Sequence, residues 1–197
     1  MRHSETRPRL IVGISGASGA VYGARLLTLL KPLPVETHLV ISRSAETTLA
    51  LETDLKPADL RARAEVVHAA GDLAAAIASG SFPTLGMIVA PCSVRSMSEI
   101  ATGVTTTLLT RAADVVLKER RRLVLAVRET PLHVGHLRTM TALAEMGAVI
   151  APPVPAHYAK PQTIDEMIDH TIGRWLDLFG LDSGTVRRWG ETPTSKD

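Results

Sequence analysis

The sequence predicts an α/β protein in which helices cover both faces of a parallel, Rossmann-like (flavodoxin-like) sheet, within a single domain of three layers. Three observations support this fold class. Short runs of Val, Ile and Leu alternate with longer helix-like segments along the chain. These runs lack the apolar–polar alternation of a half-exposed strand, so both of their faces are predicted to be covered. The length of 197 residues also suits one domain with a sizeable core.

The predicted elements follow one another as strand and helix. The first strand is Leu10–Ile14, and a glycine-rich turn joins it to a helix that ends before Pro32. The predicted strands are residues 10–14, 35–41, 66–68, 85–90, 123–127 and 148–150. The predicted helices are residues 21–30, 45–51, 57–64, 72–78, 93–101, 107–121, 137–146 and 163–179.

The two ends of the chain are predicted to lie outside the domain. The last helix has clear signals at both ends, since Thr163 and Glu166 form a capping box and Gly180 follows its final turn. We therefore expect a domain over residues 9–182, a flexible N-terminus over residues 1–8 and a polar tail over residues 183–197.

Composition and charge exclude several classes of function. The net charge is only +2 and no basic helix or aromatic-interleaved patch is present, so no nucleic-acid partner is expected. The chain contains no run of 18 apolar residues, so no membrane span is expected. The single cysteine, Cys92, excludes an internal disulfide and a cysteine metal cluster. The first eight residues lack the apolar core of a signal peptide, so we expect a cytoplasmic protein.

The glycine-rich turn predicts a phosphate site. Gly13, Gly16 and Gly19 are spaced three apart, unlike the G-x-G-x-x-G of a dinucleotide site, and the second strand ends without an acidic residue to hold a ribose. Ser18 is predicted to be the N-cap of the following helix, whose free N–H groups favour an anion. This pattern favours a mononucleotide over NAD, and the alternative is a turn that only packs strand on helix.

Several candidate functional residues and loops follow the ends of predicted strands, where ligands bind in parallel sheets. These are residues 15–19, Ser42, the pair Cys92–Ser93, the pair Arg128–Glu129 and the loop 152–155. The pair would place an arginine on a ligand anion beside a carboxylate able to act as acid or base. The alternative for this pair is an ion pair on the surface.

The remaining reactive or aromatic side chains favour structural roles. Cys92 is predicted to be a buried thiol rather than a nucleophile. The spacing of His133 and His136 favours a helix surface or packing over a metal site, because no third ligand is suitably spaced. Trp175 fits the apolar stripe of the last helix, whereas Trp189 lies in the polar tail, where an exposed indole suggests a partner.

Six segments of the chain together carry a family resemblance. They are Gly13–Gly23, Glu52–Asp54, Ala90–Ser93, Arg111–Arg120, Val127–Pro131 and Gly147–Tyr158. They cover nearly the whole domain, and Arg111–Arg120 and Val127–Pro131 are the most specific of them. In these segments the chain resembles the UbiX-like flavin prenyltransferases, also known as small subunits of aromatic acid decarboxylase systems.

The resemblance implies a metal-independent enzyme that joins the dimethylallyl group of dimethylallyl phosphate to reduced FMN. The first bond forms at flavin N5, ring closure follows at C6, and the prenylated FMN serves a partner decarboxylase of the UbiD type. The family also implies a homo-oligomer, commonly a dodecamer, in which the tail completes the prenyl pocket of a neighbouring subunit.

The resemblance also implies residue roles, carried over by position. It implies Ser18, Glu52, Lys118 and Glu129 as catalytic residues. It implies FMN contacts from Gly16, Ala17, Ser18, Ser42, Ser93, Val94, Arg95, Ser96 and Arg128. It implies prenyl-phosphate contacts from Arg111, Lys118, Tyr158, Arg174 and Trp189.

The chain departs from the family pattern at His157, where phenylalanine is common, at Lys160, and at Arg122, which replaces a usual proline. Two other functions stay open on the sequence. One is a flavin-dependent cysteine decarboxylase of the same broad fold, although such enzymes carry an asparagine-rich motif and this chain has no asparagine. The other is a non-catalytic flavin-binding subunit of a decarboxylase.

Overall fold

A computed structural model describes residues 7–190 and contains one parallel sheet of six strands. The spatial order is β3-β2-β1-β4-β5-β6, and each neighbouring pair is parallel. The strands are β1 Arg9–Ile14, β2 Glu36–Ile41, β3 Val66–His68, β4 Gly86–Cys92, β5 Arg122–Val127 and β6 Val149–Ile150. This is the doubly wound order whose direction reverses between β1 and β4, which is where a ligand crevice opens.

Seven α-helices within the described residues connect the strands. They are α1 Ala20–Leu30, α2 Arg43–Glu52, α3 Pro57–Arg61, α4 Val94–Thr102, α5 Leu108–Lys118, α6 Val134–Glu145 and α7 Ile164–Asp177. None of these helices is long and apolar enough to cross a membrane.

The core consists of two apolar clusters, one on each face of the sheet. Successive residues of β1 point to opposite faces, so Leu10 and Val12 join the cluster under α1 and α7, while Ile11 joins the cluster under α4 and α5. Trp175 of α7 is buried in the first cluster and its ring lies 5.7 Å from that of Tyr22. The predicted three-layer α/β fold, with its strands covered on both faces, is confirmed.

The predicted helix over residues 72–78 is wrong. The carboxylate of Asp72 accepts a hydrogen bond from the N–H of Ala74 at 3.1 Å, which favours a turn, and only a short 3-10 helix forms at Ala76–Ala78. In this segment Ile77 alone is fully buried. The alanines favour a helix, but the segment lacks the apolar stripe that would stabilise a helix by packing on the core. A second short 3-10 helix, His157–Ala159, was not predicted.

Candidate functional site

Backbone and side-chain hydrogen bonds join the carboxyl ends of the strands at the switch point. Ser15, just after β1, is buried, and its hydroxyl donates to the carbonyl of Pro91 at 3.0 Å and accepts from the N–H of Ser93 at 2.7 Å. The N–H of Ser42 donates to the carbonyl of Ile14 at 3.0 Å. These bonds fix the loops after β1, β2 and β4 relative to one another.

The glycine-rich turn packs closely against the start of α2. A methyl group on Gly16 would overlap the side chain of Ser44, so the backbone can come this close only with glycine. Gly19 has φ +98° and is the N-cap of α1, without a side-chain cap. The predicted N-cap at Ser18 is therefore wrong, because the chain turns through a left-handed residue one position later.

Glu52, at the end of α2, caps α1 instead. Its carboxylate accepts hydrogen bonds from the N–H groups of Gly19 at 2.8 Å and Ala20 at 2.9 Å. Burial raises the pKa of Glu52, but hydrogen bonds from Ser18, Ala20 and Gly19 outweigh it and hold this pKa below its ordinary value. The structure thus places Ser18 and Glu52, both expected catalytic residues, next to each other, since Glu52 binds the N–H of the residue after Ser18.

A cleft of about 410 Å³ opens between the starts of α2 and α4. Ser42 caps α2 by accepting from the N–H of Ala45, and Ser93 caps α4 by accepting from the N–H of Ser96. Two helix N-termini thus meet at one cleft, an arrangement that favours an anion. The lining residues are Ser42, Arg43, Ser44, Thr47, Ser93, Arg95, Ser96, Glu99, Thr107 and Leu109.

The donor set of this cleft fits a phosphate monoester. Hydroxyl groups and two guanidinium groups, those of Arg43 and Arg95, can all donate hydrogen bonds to phosphate oxygens. Of the residues expected at the flavin, Ser42, Ser93, Arg95 and Ser96 line this cleft. Ala17 is nearly buried in the adjoining turn, and Val94 is the first residue of α4.

Arg128 and Glu129 follow β5 at the same edge of the sheet. The N–H of Arg128 donates to the carbonyl of Cys92 at 3.0 Å, and the positive charge of Arg128 contributes to lowering the pKa of Glu52. Burial raises the pKa of Tyr22, and the charge of Arg128 opposes this rise. The carboxylate of Glu129 accepts from the N–H of Thr130 at 2.9 Å rather than pairing with its neighbour.

A second group of expected residues lies along α7. The ring of Tyr158 meets that of Trp189 edge-on at 5.3 Å and that of buried His170 at 5.7 Å. Trp189 is 80% exposed. The tail up to Gly190 therefore packs on α7 of its own chain, and the expected tail residues 191–197 lie outside the described residues, as do residues 1–6 of the expected N-terminus.

Arg174, Arg111 and Lys118 are held in ion pairs on helix surfaces. Arg174 pairs with Asp177 at 2.6 Å, and Arg111 pairs with Asp114 at 2.8 Å. Lys118 pairs with Glu119 at 2.6 Å at the far end of α5, beside the amino ends of the strands. Within one chain, the structure does not bring Lys118 to the cleft.

The structural interpretations of Cys92, the paired histidines and Trp175 hold. Cys92 is fully buried, and this burial raises the pKa of its thiol to about 12, so the thiolate nucleophile is suppressed. His133 caps α6 by accepting from the N–H of Gly135 at 3.0 Å, and its ring stacks on that of His136. No group of three potential metal ligands is found within residues 7–190.

Two residues of the site have no role in the prediction from sequence. Ser15 follows the first predicted strand, and in the structure it joins two loops through buried hydrogen bonds. Glu99 lines the cleft, and its carboxylate accepts from Arg95 at 2.9 Å. The hydroxyl next to the first strand was a usable signal for Ser15, whereas nothing in the sequence placed Glu99 in the cleft.

A doubly wound sheet with a cleft at its switch point whose donors fit a phosphate is typical of mononucleotide-binding α/β proteins. In agreement, the model of the family described as Flavoprotein matches residues 1–176. The flavin prenyltransferase UbiX of Escherichia coli strain K12 is 60% identical over 184 residues, which cover 92% of this chain and 97% of that protein.

Two solved structures share the fold closely. The crystal structure of AnUbiX (PadA1) in complex with FMN and dimethylallyl pyrophosphate has a TM-score of 0.92 and 50% identity, covering 94% of this chain and 99% of that one. A dodecameric FMN-dependent UbiX-like decarboxylase from Escherichia coli O157:H7 has a TM-score of 0.90 and 49% identity, covering 93% and 100%. The chain belongs to the flavoprotein family and, within it, to the UbiX flavin prenyltransferases.

Proposed function

We propose that this protein transfers the dimethylallyl group of dimethylallyl phosphate to reduced FMN, making prenylated FMN for a UbiD-type decarboxylase. The observation that carries the proposal is 60% identity, over 92% of the chain, to a flavin prenyltransferase. The cleft gives the proposal a physical basis, since its hydroxyl and guanidinium groups suit the phosphate of a flavin mononucleotide.

The flavin would be held at the carboxyl edge of the sheet. Ser42, Ser93, Arg95 and Ser96 would bind its phosphate and ribityl chain, while the turn from Gly16 to Ser18 and the exposed Arg128 would border its ring. Reduced FMN supplies the nucleophilic N5 and C6 atoms, so the protein has to orient the two substrates and stabilise the departing phosphate.

The residues near the flavin ring would hold protons and charge. The lowered pKa of Glu52 keeps this carboxylate ionised at neutral pH, so it can accept a hydrogen bond from Ser18 and orient that hydroxyl. The exposed Glu129 would act as acid or base toward the departing phosphate. Arg111, Lys118 and Arg174 would neutralise the charge that grows on that phosphate, with Tyr158 as a hydrogen-bond donor.

The active site would be shared between subunits. Lys118 ends α5 beside the amino ends of the strands, whereas the cleft lies at their carboxyl ends, so it can serve a flavin only in another copy. Shared sites of this kind require closed symmetry, since each subunit both gives and receives residues. A dodecamer, the state of the UbiX-like relative from Escherichia coli O157:H7, satisfies this requirement. Trp189 would then face the allylic group of a neighbouring subunit, where an aromatic ring stabilises developing positive charge.

One assay separates this function from its alternatives. Protein, FMN reduced under anaerobic conditions and dimethylallyl phosphate are incubated, and the flavin is analysed by mass spectrometry. The proposal expects a gain of one C5H8 unit and release of inorganic phosphate, with no gain when dimethylallyl alcohol replaces the phosphate ester. Bound FMN without any gain in mass would instead support a non-catalytic flavin-binding subunit. In a separate incubation with oxidised FMN and a cysteine-ended peptide, release of carbon dioxide with reduction of the flavin would support a cysteine decarboxylase.

The location proposed for this reaction is the cytoplasm, where the product would pass to the decarboxylase. Fractionation of cells that produce the protein tests this location, and recovery in the membrane pellet or the extracellular fraction would contradict it.

A further inference from the structure

One carboxylate lies in the wall of the cleft among hydroxyl and guanidinium groups. Glu99 of α4 is the single acidic member of the described lining residues, and its side chain is only 14% exposed. One oxygen accepts from Nε of Arg95 at 2.9 Å, and the other accepts from the hydroxyl of Thr106 at 2.9 Å.

This carboxylate carries its negative charge at neutral pH. Burial raises the pKa of Glu99, but hydrogen bonds from Arg95 and Thr106, together with the charge of Arg95, hold the pKa below its ordinary value. A phosphate monoester has a second pKa of about 6 and carries close to two negative charges at pH 7. The cleft therefore holds a fixed anion beside the position of an incoming anion.

Glu99 acts on a bound phosphate in two ways, both of which weaken binding. It repels the phosphate directly, and the repulsion is strong where few water molecules screen it. It also occupies Arg95, one of the two lining guanidinium groups that could clamp the phosphate. A neutral amide in its place would keep its oxygen as an acceptor for Arg95, and its NH2 group could donate to the hydroxyl oxygen of Thr106, so the charge can be removed while both contacts are kept.

We propose that Glu99 sets the affinity of the cleft for the flavin phosphate, and that its negative charge keeps the flavin nucleotide releasable. The inference rests on the proposed function, in which FMN enters and prenylated FMN leaves through the same cleft. Both flavins carry the same phosphate, so one charge adjusts the binding of both. A site that retained its product would be occupied after one turnover.

The test compares FMN with riboflavin, which lacks the phosphate, in wild type and in Glu99→Gln. Dissociation constants are measured by quenching of flavin fluorescence at low and high salt. We expect Glu99→Gln to lower the Kd for FMN about tenfold at low salt, with less effect at high salt, and to leave the Kd for riboflavin unchanged.

Glu46→Gln is the matched control. Glu46 lies in α2, is paired with Arg61, and lines a neighbouring cleft on the other side of Arg43. Loss of this charge should leave the Kd for FMN within about twofold of the wild-type value. A second variant, Glu99→Ala, removes the charge together with both hydrogen bonds and should also tighten FMN relative to riboflavin.

The outcomes separate the two proposals. If the ratio of the FMN Kd to the riboflavin Kd stayed unchanged or rose in both Glu99 variants, this inference would be wrong while the proposed function would stand. Equal tightening of both flavins is one such outcome, because it leaves the ratio unchanged. If wild type bound no FMN, the proposed function and this inference would fall together.

Discussion

Ser15 offers a direct test of how the site is held together. Its hydroxyl is buried and joins the loop after β1 to the loop after β4 through bonds of 3.0 Å to Pro91 and 2.7 Å from Ser93. Ser15→Ala removes both bonds with little change in volume. The carbonyl of Pro91 keeps one partner, the N–H of residue 15 at 3.2 Å, whereas the N–H of Ser93 loses its acceptor.

The expected loss of stability in Ser15→Ala follows from the one N–H that is left unpaired and the one carbonyl that keeps a partner. A buried N–H without a partner costs about 1–3 kcal/mol, and the partly satisfied carbonyl adds about 0.5 kcal/mol, so we expect a loss of about 2 kcal/mol. For a chain of this length, that corresponds to a fall in Tm of about 4–8 °C. Because Ser93 caps α4 and lines the cleft, FMN binding should weaken as well.

Urea unfolding followed by circular dichroism measures the free energy of unfolding, and quenching of flavin fluorescence measures the Kd for FMN. Ser98→Ala is the control, since this half-buried serine lies within α4 and its substitution should change stability by less than about 0.5 kcal/mol. If Ser15→Ala were as stable as this control, the two buried bonds would not hold the loops after β1 and β4 together.

Three further predictions follow from the same site. Glu52→Gln should lower the free energy of unfolding by about 0.5–1 kcal/mol, a modest value because the carboxylate is largely exposed. Since the pKa of Glu52 is lowered in the folded state, the stability difference between wild type and variant should be fully present above the unfolded-state pKa and should vanish as pH falls through the folded-state pKa. A difference that did not depend on pH in urea titrations would contradict this expectation. Gly16→Ala should raise the Kd for FMN at least about tenfold and destabilise the fold by about 1–3 kcal/mol, because the added methyl overlaps Ser44; unchanged fluorescence quenching would show that the turn does not border the flavin. Trp189→Ala should change stability by less than about 1 kcal/mol, because the ring is exposed, yet lower kcat/KM for prenyl transfer about 5- to 30-fold; unchanged turnover would remove Trp189 from the prenyl pocket.

The sequence alone determined the fold class, because local patterns were sufficient for it. Short continuous apolar runs such as Leu10–Ile14 favour strands covered on both faces, and helices between such strands make parallel connections. The same rule placed Ser42, Ser93 and Arg128 at one edge of the sheet, since each follows the carboxyl end of a strand. The glycine at position 16 also indicated a close backbone approach before its neighbour was known.

Tertiary structure decided the partners of these residues. Glu52 is 33 residues from Gly19 in sequence, and only the packing of α2 beside the turn brings its carboxylate to the N-terminus of α1. Ser18 was assigned as the cap because a hydroxyl near a helix start is a local signal, whereas the left-handed φ of Gly19 depends on the path of the whole turn.

Tertiary structure also decided that Arg95 lines the cleft and that Lys118 does not. Both are cations on helices, but α4 begins at the carboxyl edge of the sheet, whereas α5 ends at the amino edge. Residue type and spacing therefore determined which side chains could bind a flavin phosphate. The direction of each helix relative to the sheet decided which of them reach the cleft of their own chain, because that direction is set by long-range strand pairing and not by local sequence.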